Sequence, residues 1–163
     1  MDLSIIWWME KPYRMVQNNL RDIDGAVDVD YEVDMLKKLG ANVVQVGCGG
    51  ISAYGPSQLA CQRSTPYLQG DKFGEIVEKC HAAGIRVISR VDFSKVRAPL
   101  YEQHPEWAYV SPKGEIIDYH GLIHMCFNSD YQQKIALDII REIIRDINPD
   151  GLFLNMGGYS VAL

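Results

Sequence analysis

The sequence predicts an α/β fold made of repeating βα units, the first four of a (β/α)8 TIM-type barrel. Three observations predict it. Apolar, β-branched runs at 41–46, 85–91 and 152–155 each follow a helical stretch and a glycine, at Gly40, Gly84 and Gly151. The helix-to-strand turns are short and the strand-to-helix connections are longer and polar, which gathers the polar loops at one end of a parallel sheet. The run Gly84–Lys95 closes in Arg90, Asp92, Ser94 and Lys95, as a buried parallel strand does when it delivers side chains to a site at its carboxyl end.

The elements follow in order. Arg14–Asp24 reads as a first strand leading into a polar loop, preceded by Trp7 and Trp8, which need packing partners. A helix over about 29–39 has Asp28 or Asp30 as its cap, Val33, Leu36 and Leu39 as its apolar stripe and Gly40 as its stop. The second strand, 41–46, opens a long loop over 47–70, a length that is usually functional or mobile. Asp71 caps a helix over 72–83, in which Phe73, Ile76, Val77 and Cys80 recur at helical spacing. The third strand is followed by an irregular excursion at 95–128, rich in proline and glycine, with a small hairpin of Val110 and Ile116-Ile117 around Ser111–Gly114. Ser129 and Gln132 form a capping box for the last helix, whose buried face is Ile135, Ile139, Ile143, Ile144 and Ile147. The fourth strand is 152–155.

A complete barrel needs eight strands and typically about 250 residues. With 163 residues and four strands, two arrangements fit. Residues 1–163 are the amino-terminal half of a longer barrel, or they form a complete open sheet of the flavodoxin type. A half barrel exposes two sheet edges and invites pairing with a second copy.

Composition narrows the partners. Hydrophobic residues make up 47%, enough for a packed core. A net charge of −5 without a basic block argues against nucleic acid. No apolar run approaches the roughly 20 residues of a membrane span, and the amino terminus lacks the basic start of a signal peptide. Four scattered cysteines, Cys48, Cys61, Cys80 and Cys126, then read as reduced thiols of a cytoplasmic protein.

The strand ends carry the candidate chemistry. Asn19, Arg21 and Asp22 follow the first strand, Gly47, Gly49 and Gly50 the second, Arg90 and Asp92 end the third, and Asn155 ends the fourth. In a barrel these meet at one mouth. Amides, guanidinium groups and carboxylates facing one cavity suit a sugar, and Tyr54, Trp107 and Tyr159 offer stacking faces. Taken singly, Asp22 and Asp24 also fit solvated loop residues, and Arg90 with Asp92 a structural pair; it is their convergence that favours a site. Gly47-Cys48-Gly49-Gly50 fails the dinucleotide spacing, because Ser52 stands where the last glycine belongs, so a tight turn at the mouth is the preferred reading. His120 and His124 lack the HExxH context of a helical zinc site and read as loop histidines, and His81 as a surface residue. Cys48 and Cys126 read as structural thiols. No metal or cofactor is expected. Glycoside hydrolysis uses a pair of carboxyl groups; Asp92 is the best carboxylate available, and no general acid is identifiable.

Several segments together carry a family resemblance: Arg14-x-x-Gln17-x-Asn19-Leu20-Arg21-x-x-Asp24, Gly49-Gly50-Ile51-x-Ala53-Tyr54, Gly84-Ile85-Arg86-Val87-Ile88-x-Arg90-x-Asp92-Phe93-Ser94, His104-Pro105-Glu106-Trp107, Cys126-x-Asn128-Ser129 and Asp150-Gly151-x-Phe153-x-Asn155-x-x-Gly158-Tyr159. As a set they resemble the hypothetical glycosyl hydrolase 6 family, whose domains are similar to the amino-terminal halves of α-amylase-like, α-L-fucosidase-like and β-galactosidase-like barrels. The resemblance implies a (β/α)8 catalytic domain that continues past Leu163 and acts on a carbohydrate. In fucosidase- and amylase-like barrels an aspartate nucleophile ends strand four, where this chain has Asn155. An amide cannot be that anion. Either the nucleophile lies elsewhere, or Asn155 binds substrate as the asparagine before the acid/base does in galactosidase-like barrels, although Met156 rather than glutamate follows it here. The expected function is a glycoside hydrolase with Asp92 catalytic and Asn19, Arg21, Asp22, Tyr54, Arg90, Trp107, Asn155 and Tyr159 binding sugar. The alternative is a carbohydrate-binding or structural domain without turnover.

Overall fold

The computed structural model describes residues 6–10 and 12–156. Four strands, β1 (Met15–Asn18), β2 (Val43–Gly50), β3 (Arg86–Asp92) and, last in the chain, β7 (Gly151–Asn155), form one parallel sheet in the order β1-β2-β3-β7. The order runs without reversal, whereas a doubly wound sheet reverses at its switch point. The crossovers carry α2 (Val29–Lys38), α3 (Lys72–Ala82) and α5 (Ala136–Asp146). Their apolar stripes share a single cluster with Val44, Val46, Val87 and Val91 of the sheet. The opposite face presents Gln17, Gln45, Ile88 and Gly151 in one register row, then Arg90 beside Phe153, then Asp92 beside Asn155.

Local chemistry explains the helices. Asp28 accepts the Tyr31 amide at 3.0 Å and Asp71 the Gly74 amide at 2.9 Å, so both caps satisfy donors that a helix start leaves open. Phe73, Ile76, Val77 and Cys80 are buried along α3, at about 2 kcal/mol for each large apolar side chain. Gly40 and Gly84 follow the helix ends at φ 65° and 72°, a conformation that costs glycine nothing.

Some expectations are corrected. Leu39 is at the end of α2 and exposed rather than in its stripe. The last helix has no capping box: Ser129 Oγ donates to the Cys126 carbonyl, and Gln132 Nε2 donates across to the Phe93 carbonyl. The chain instead enters α5 through a π-turn, Tyr131–Ile135, which buries the Tyr131 ring completely. Ile144 is exposed, because among the described residues no element covers that flank of α5. The segment at 47–70 is loop only beyond Gly50, since β2 continues through the glycines.

The excursion at 95–128 is ordered rather than irregular. It contains β4 (Lys95–Arg97), α4 (Ala98–Gln103), β5 (Asp118–Tyr119) and β6 (Leu122–His124), with the three strands in an antiparallel sheet of order β4-β6-β5. The hairpin around Ser111–Gly114 is present as a Val110–Ile116 bridge. Val96, Trp107, Ile123 and Met125 tie this sheet to the main core.

The opposite, amino-terminal end of the sheet is clamped by Asp150. It accepts the Val87 amide at 2.8 Å, Arg86 Nη1 at 2.6 Å and His81 Nε2 at 2.7 Å; His81 is a surface residue of α3, as expected, and its ring is held by Asp150. The four-residue helix α1 (Trp7–Glu10) lies at the same end, where Trp7 Nε1 donates to the Asp150 carbonyl. Burial raises the Asp150 pKa, but the Val87 amide, His81 and Arg86 outweigh it and hold the carboxyl below its ordinary value. A depressed carboxylate pKa contributes stability above the ordinary range near pH 4, and that contribution is lost as pH falls through the lowered value. Replacing Asp150 by Ala should therefore cost about 2 kcal/mol at pH 7. In urea titrations the gap between wild type and variant should narrow below about pH 4; a gap independent of pH would refute the ionic account.

Candidate functional site

The carboxyl ends of β1, β2 and β3 open into a cavity of about 450 Å³. Of the predicted site residues, Asn19, Arg21, Asp22, Tyr54, Arg90 and Asp92 line it. Asn155 joins them through Asp92. Trp107 does not: it is 8% exposed, with the His104 ring stacked on it at 3.8 Å and Tyr131 at 5.7 Å. It is a core residue, because these two rings enclose it within the main apolar cluster. Tyr159 lies outside the described residues.

Asp92 is the most tightly specified side chain. Its Oδ1 accepts Ser94 N at 3.0 Å and Ser94 Oγ at 2.6 Å, and its Oδ2 accepts Asn155 Nδ2 at 2.7 Å. Lys95 Nζ in turn donates to Ser94 Oγ at 3.0 Å. The side chain is 11% exposed, so these donors replace water at both oxygens and fix the orientation of the carboxyl group. Arg90 Nη2 stands 3.8 Å from Oδ2, an ion pair without a hydrogen bond.

A second carboxylate, Asp22, forms the far wall. It accepts Ser52 Oγ at 2.9 Å and Arg97 Nη2 at 2.7 Å. Arg21 and Asp24 form a third pair at the rim, where the Arg21 side chain holds the Asp24 carboxyl below its usual range. Tyr54 is the floor. Its hydroxyl donates to the Leu20 carbonyl at 2.9 Å, and burial, then Asp22 and Asp24, push its pKa up to about 12. Cys48 is buried against Ser89, and burial raises its thiol to about 12, which keeps it protonated and inert as a nucleophile.

The resemblance read from the sequence can now be set against known proteins. A model of the hypothetical glycosyl hydrolase 6 family matches residues 28–156. The chain belongs to that family. It is similar to the β-galactosidase YesZ of Bacillus licheniformis, 25% identical over 122 residues, which are 73% of this chain and 17% of that protein. In fold it is similar to α-L-fucosidase isoenzyme 2 from Paenibacillus thiaminolyticus, with a TM-score of 0.77 at 22% identity, covering 94% of this chain and 24% of that one. It is also similar to the maltogenic α-amylase AmyB from Thermotoga neapolitana, with a TM-score of 0.64 at 14% identity, covering 98% of this chain and 41% of that one. The chain thus spans 17% of the length of the galactosidase and 24% of the fucosidase. Its parallel α/β sheet is similar to that of glycoside hydrolase barrels.

Within this member of the family the sequence reading missed Arg97 and Ser52. Both line the cavity. Arg97 ends β4, and the alternation Lys95-Val96-Arg97, with Val96 buried, was the available signal that a strand carries Arg97 back over the mouth. The pair His120 and His124 belongs to the excursion, with His124 opposite Lys95 on β4. Among the described residues no cluster of three His, Cys, Asp or Glu side chains is placed to hold a metal.

The glycine run is also resolved. Gly47 and Gly49 flank a register shift in the β2–β3 ladder, and Gly50 lies at φ 99° opposite Asp92. A Cβ on Gly50 would fall 2.0 Å from the Asp92 carbonyl oxygen. The run is therefore a bulged strand end that lets two backbones meet at the mouth, rather than a turn. Gly50→Ala should cost about 3 kcal/mol or more, from clash and backbone strain together. Thermal melts of the variant check this: a melting temperature within a degree or two of wild type, on the usual scale of several degrees per kcal/mol, would contradict the close approach.

Proposed function

We propose that the chain forms the sugar-binding mouth of a glycoside hydrolase, with Asp92 as its catalytic carboxylate. The observation that carries this is the carboxylate itself. Asp92 is anchored by Asn155 and Ser94 at the carboxyl end of a parallel strand and opens onto a cavity lined by charged and amide groups. Such preorganised polar groups suit hydroxyl recognition and charge development at one bond of a sugar. Hydrolysis of an O-glycosyl bond needs a second carboxyl group. Asp22 is committed to Ser52 and Arg97, so we assign the partner to strands of the barrel beyond these residues. Residues 1–163 then form the amino-terminal half of a (β/α)8 domain. The four free thiols support a cytoplasmic setting, and a carbohydrate is the partner.

One observation favours the second reading, a carbohydrate-binding domain without turnover. Asn155 occupies the strand end where the resemblance leads one to expect a carboxylate. The two readings separate in the full-length protein assayed on a panel of aryl glycosides. As a hydrolase, Asp92→Asn lowers kcat about 10²–10⁴-fold with a small change in affinity. As a binding domain, the wild type shows no turnover, and Asp92→Asn and Asn155→Asp alter only the sugar affinity.

The half-barrel arrangement makes its own prediction. Among the described residues both outer strands, β1 and β7, have an unpaired edge, and Leu152, Phe153 and Leu154 of β7 are exposed. Mass spectrometry of the protein from its own source should give a mass well above that of 163 residues, or sedimentation should show a dimer. A stable monomer of this length would overturn the arrangement.

A further inference from the structure

We propose that the sugar taken at this mouth carries a carboxylate, as a uronic acid does, and that Arg90 is the residue that selects it. The inference rests on the sugar-binding reading above and names its substrate class.

The three cavity arginines are not equivalent. Arg21 gives Nε and Nη2 to Asp24, at 3.2 and 3.3 Å. Arg97 gives Nη2 to Asp22 at 2.7 Å and to Ser52 at 3.4 Å. Each hydrogen-bonds to its own carboxylate. Arg90 makes no hydrogen bond of this kind. The Asp92 carboxylate beside it lies 3.8 Å away at Oδ2, beyond hydrogen-bond distance, and is oriented by Asn155 Nδ2 on that oxygen at 2.7 Å and by Ser94 on the other. The Arg90 side chain is only 20% exposed, and its Nε is buried with no acceptor; Arg97 Nε is likewise unmatched, but Arg97 has Asp22 and Ser52 for its Nη2, whereas Arg90 has no such partner. A buried donor left unmatched costs about 1–3 kcal/mol. A ligand acceptor that draws the guanidinium into line recovers that cost.

The geometry of the group selects the acceptor. A guanidinium offers a planar fork of donors, and a carboxylate meets it with two parallel, charge-assisted hydrogen bonds, whereas a sugar hydroxyl accepts singly. The surroundings suit the rest of such a ligand. Phe153 is the register partner of Arg90 on β7, on the same face of the sheet, and gives the apolar face of a sugar ring a surface beside the guanidinium. Asn19 and Asp22 lie across the same cavity for hydroxyl groups. Because neutral donors from Ser94 and Asn155 orient Asp92 with its Oδ2 3.8 Å from Arg90, the guanidinium keeps its donors for a second anion.

The test is calorimetric titration of the full-length protein with galacturonate, glucuronate, their methyl esters, galactose and glucose. A uronate should bind about tenfold or more tightly than its methyl ester, which keeps the shape and removes the charge. Arg90→Gln should abolish that difference, and Arg90→Lys, which keeps the charge but loses the fork, should retain part of it, with circular dichroism confirming that both variants are folded. Equal binding of acid and ester, or binding of the neutral hexoses alone, overturns the carboxylate inference and leaves the sugar site standing. A preference that survives in Arg90→Gln overturns the assignment to Arg90. Failure of every sugar to bind overturns the sugar-binding reading and this inference with it.

Discussion

The pairing of β2 with β3 is the constraint on which the molecule depends. All eight residues of β2 are buried, so the strand has no freedom to slip; a one-residue shift would turn Val44 and Val46 out of the helix-covered cluster and Gln45 into it. The pairing continues past the apolar stretch to the end of both strands, where Gly50 lies opposite Asp92 with no room for a side chain. The position of the key carboxylate is thus set by backbone contact rather than by a flexible loop. Two further strands then take their register from β3 and β2, and with β7 comes Asn155, level with Asp92.

The two ends of this sheet use the same residue types for opposite purposes. At the amino-terminal end Asp150 accepts a backbone amide, an arginine and a histidine. At the carboxyl end Asp92 is held by an amide and a serine, while the arginine beside it stays outside hydrogen-bonding distance. The first arrangement closes one strand crossing and binds nothing further. The second leaves both charge and donors facing a cavity, which is the division between stabilising and functional ends that parallel barrels show.

Much of the frame was legible from period and punctuation. The α3 stripe of Phe73, Ile76, Val77 and Cys80, the caps Asp28 and Asp71, and the strands after Gly40, Gly84 and Gly151 follow from local rules that the tertiary structure does not override. So did the gathering of Asn19, Asp22, Arg90 and Asp92, because parallel strands bring their carboxyl ends together whatever their sequence separation. What failed depends on partners remote in sequence. The Ser129–Gln132 spacing fits a capping box, yet Gln132 serves the Phe93 carbonyl, 39 positions earlier. Trp107 looks like a sugar platform only until Tyr131 and His104 are seen to enclose it. Arg97 was hidden because its strand pairs with β6, beyond the proline-rich helix and turn that mask the pattern.

The separation of the tryptophans gives the two halves of the structure distinct optical signatures. Trp8 is exposed at the amino-terminal end, with the half-buried Trp7 edge-on to it at 5.7 Å, whereas Trp107 is enclosed in the excursion with an imidazole ring flat against it. By exposure, Trp8 should emit in the red, solvent-relaxed part of the spectrum and Trp107 in the blue, with the half-buried Trp7 between them. Loosening of the excursion alone would drain the blue component while leaving the red one in place. The chain therefore carries, without any label, a fluorescence readout of whether its excursion and its parallel sheet come apart together or in sequence.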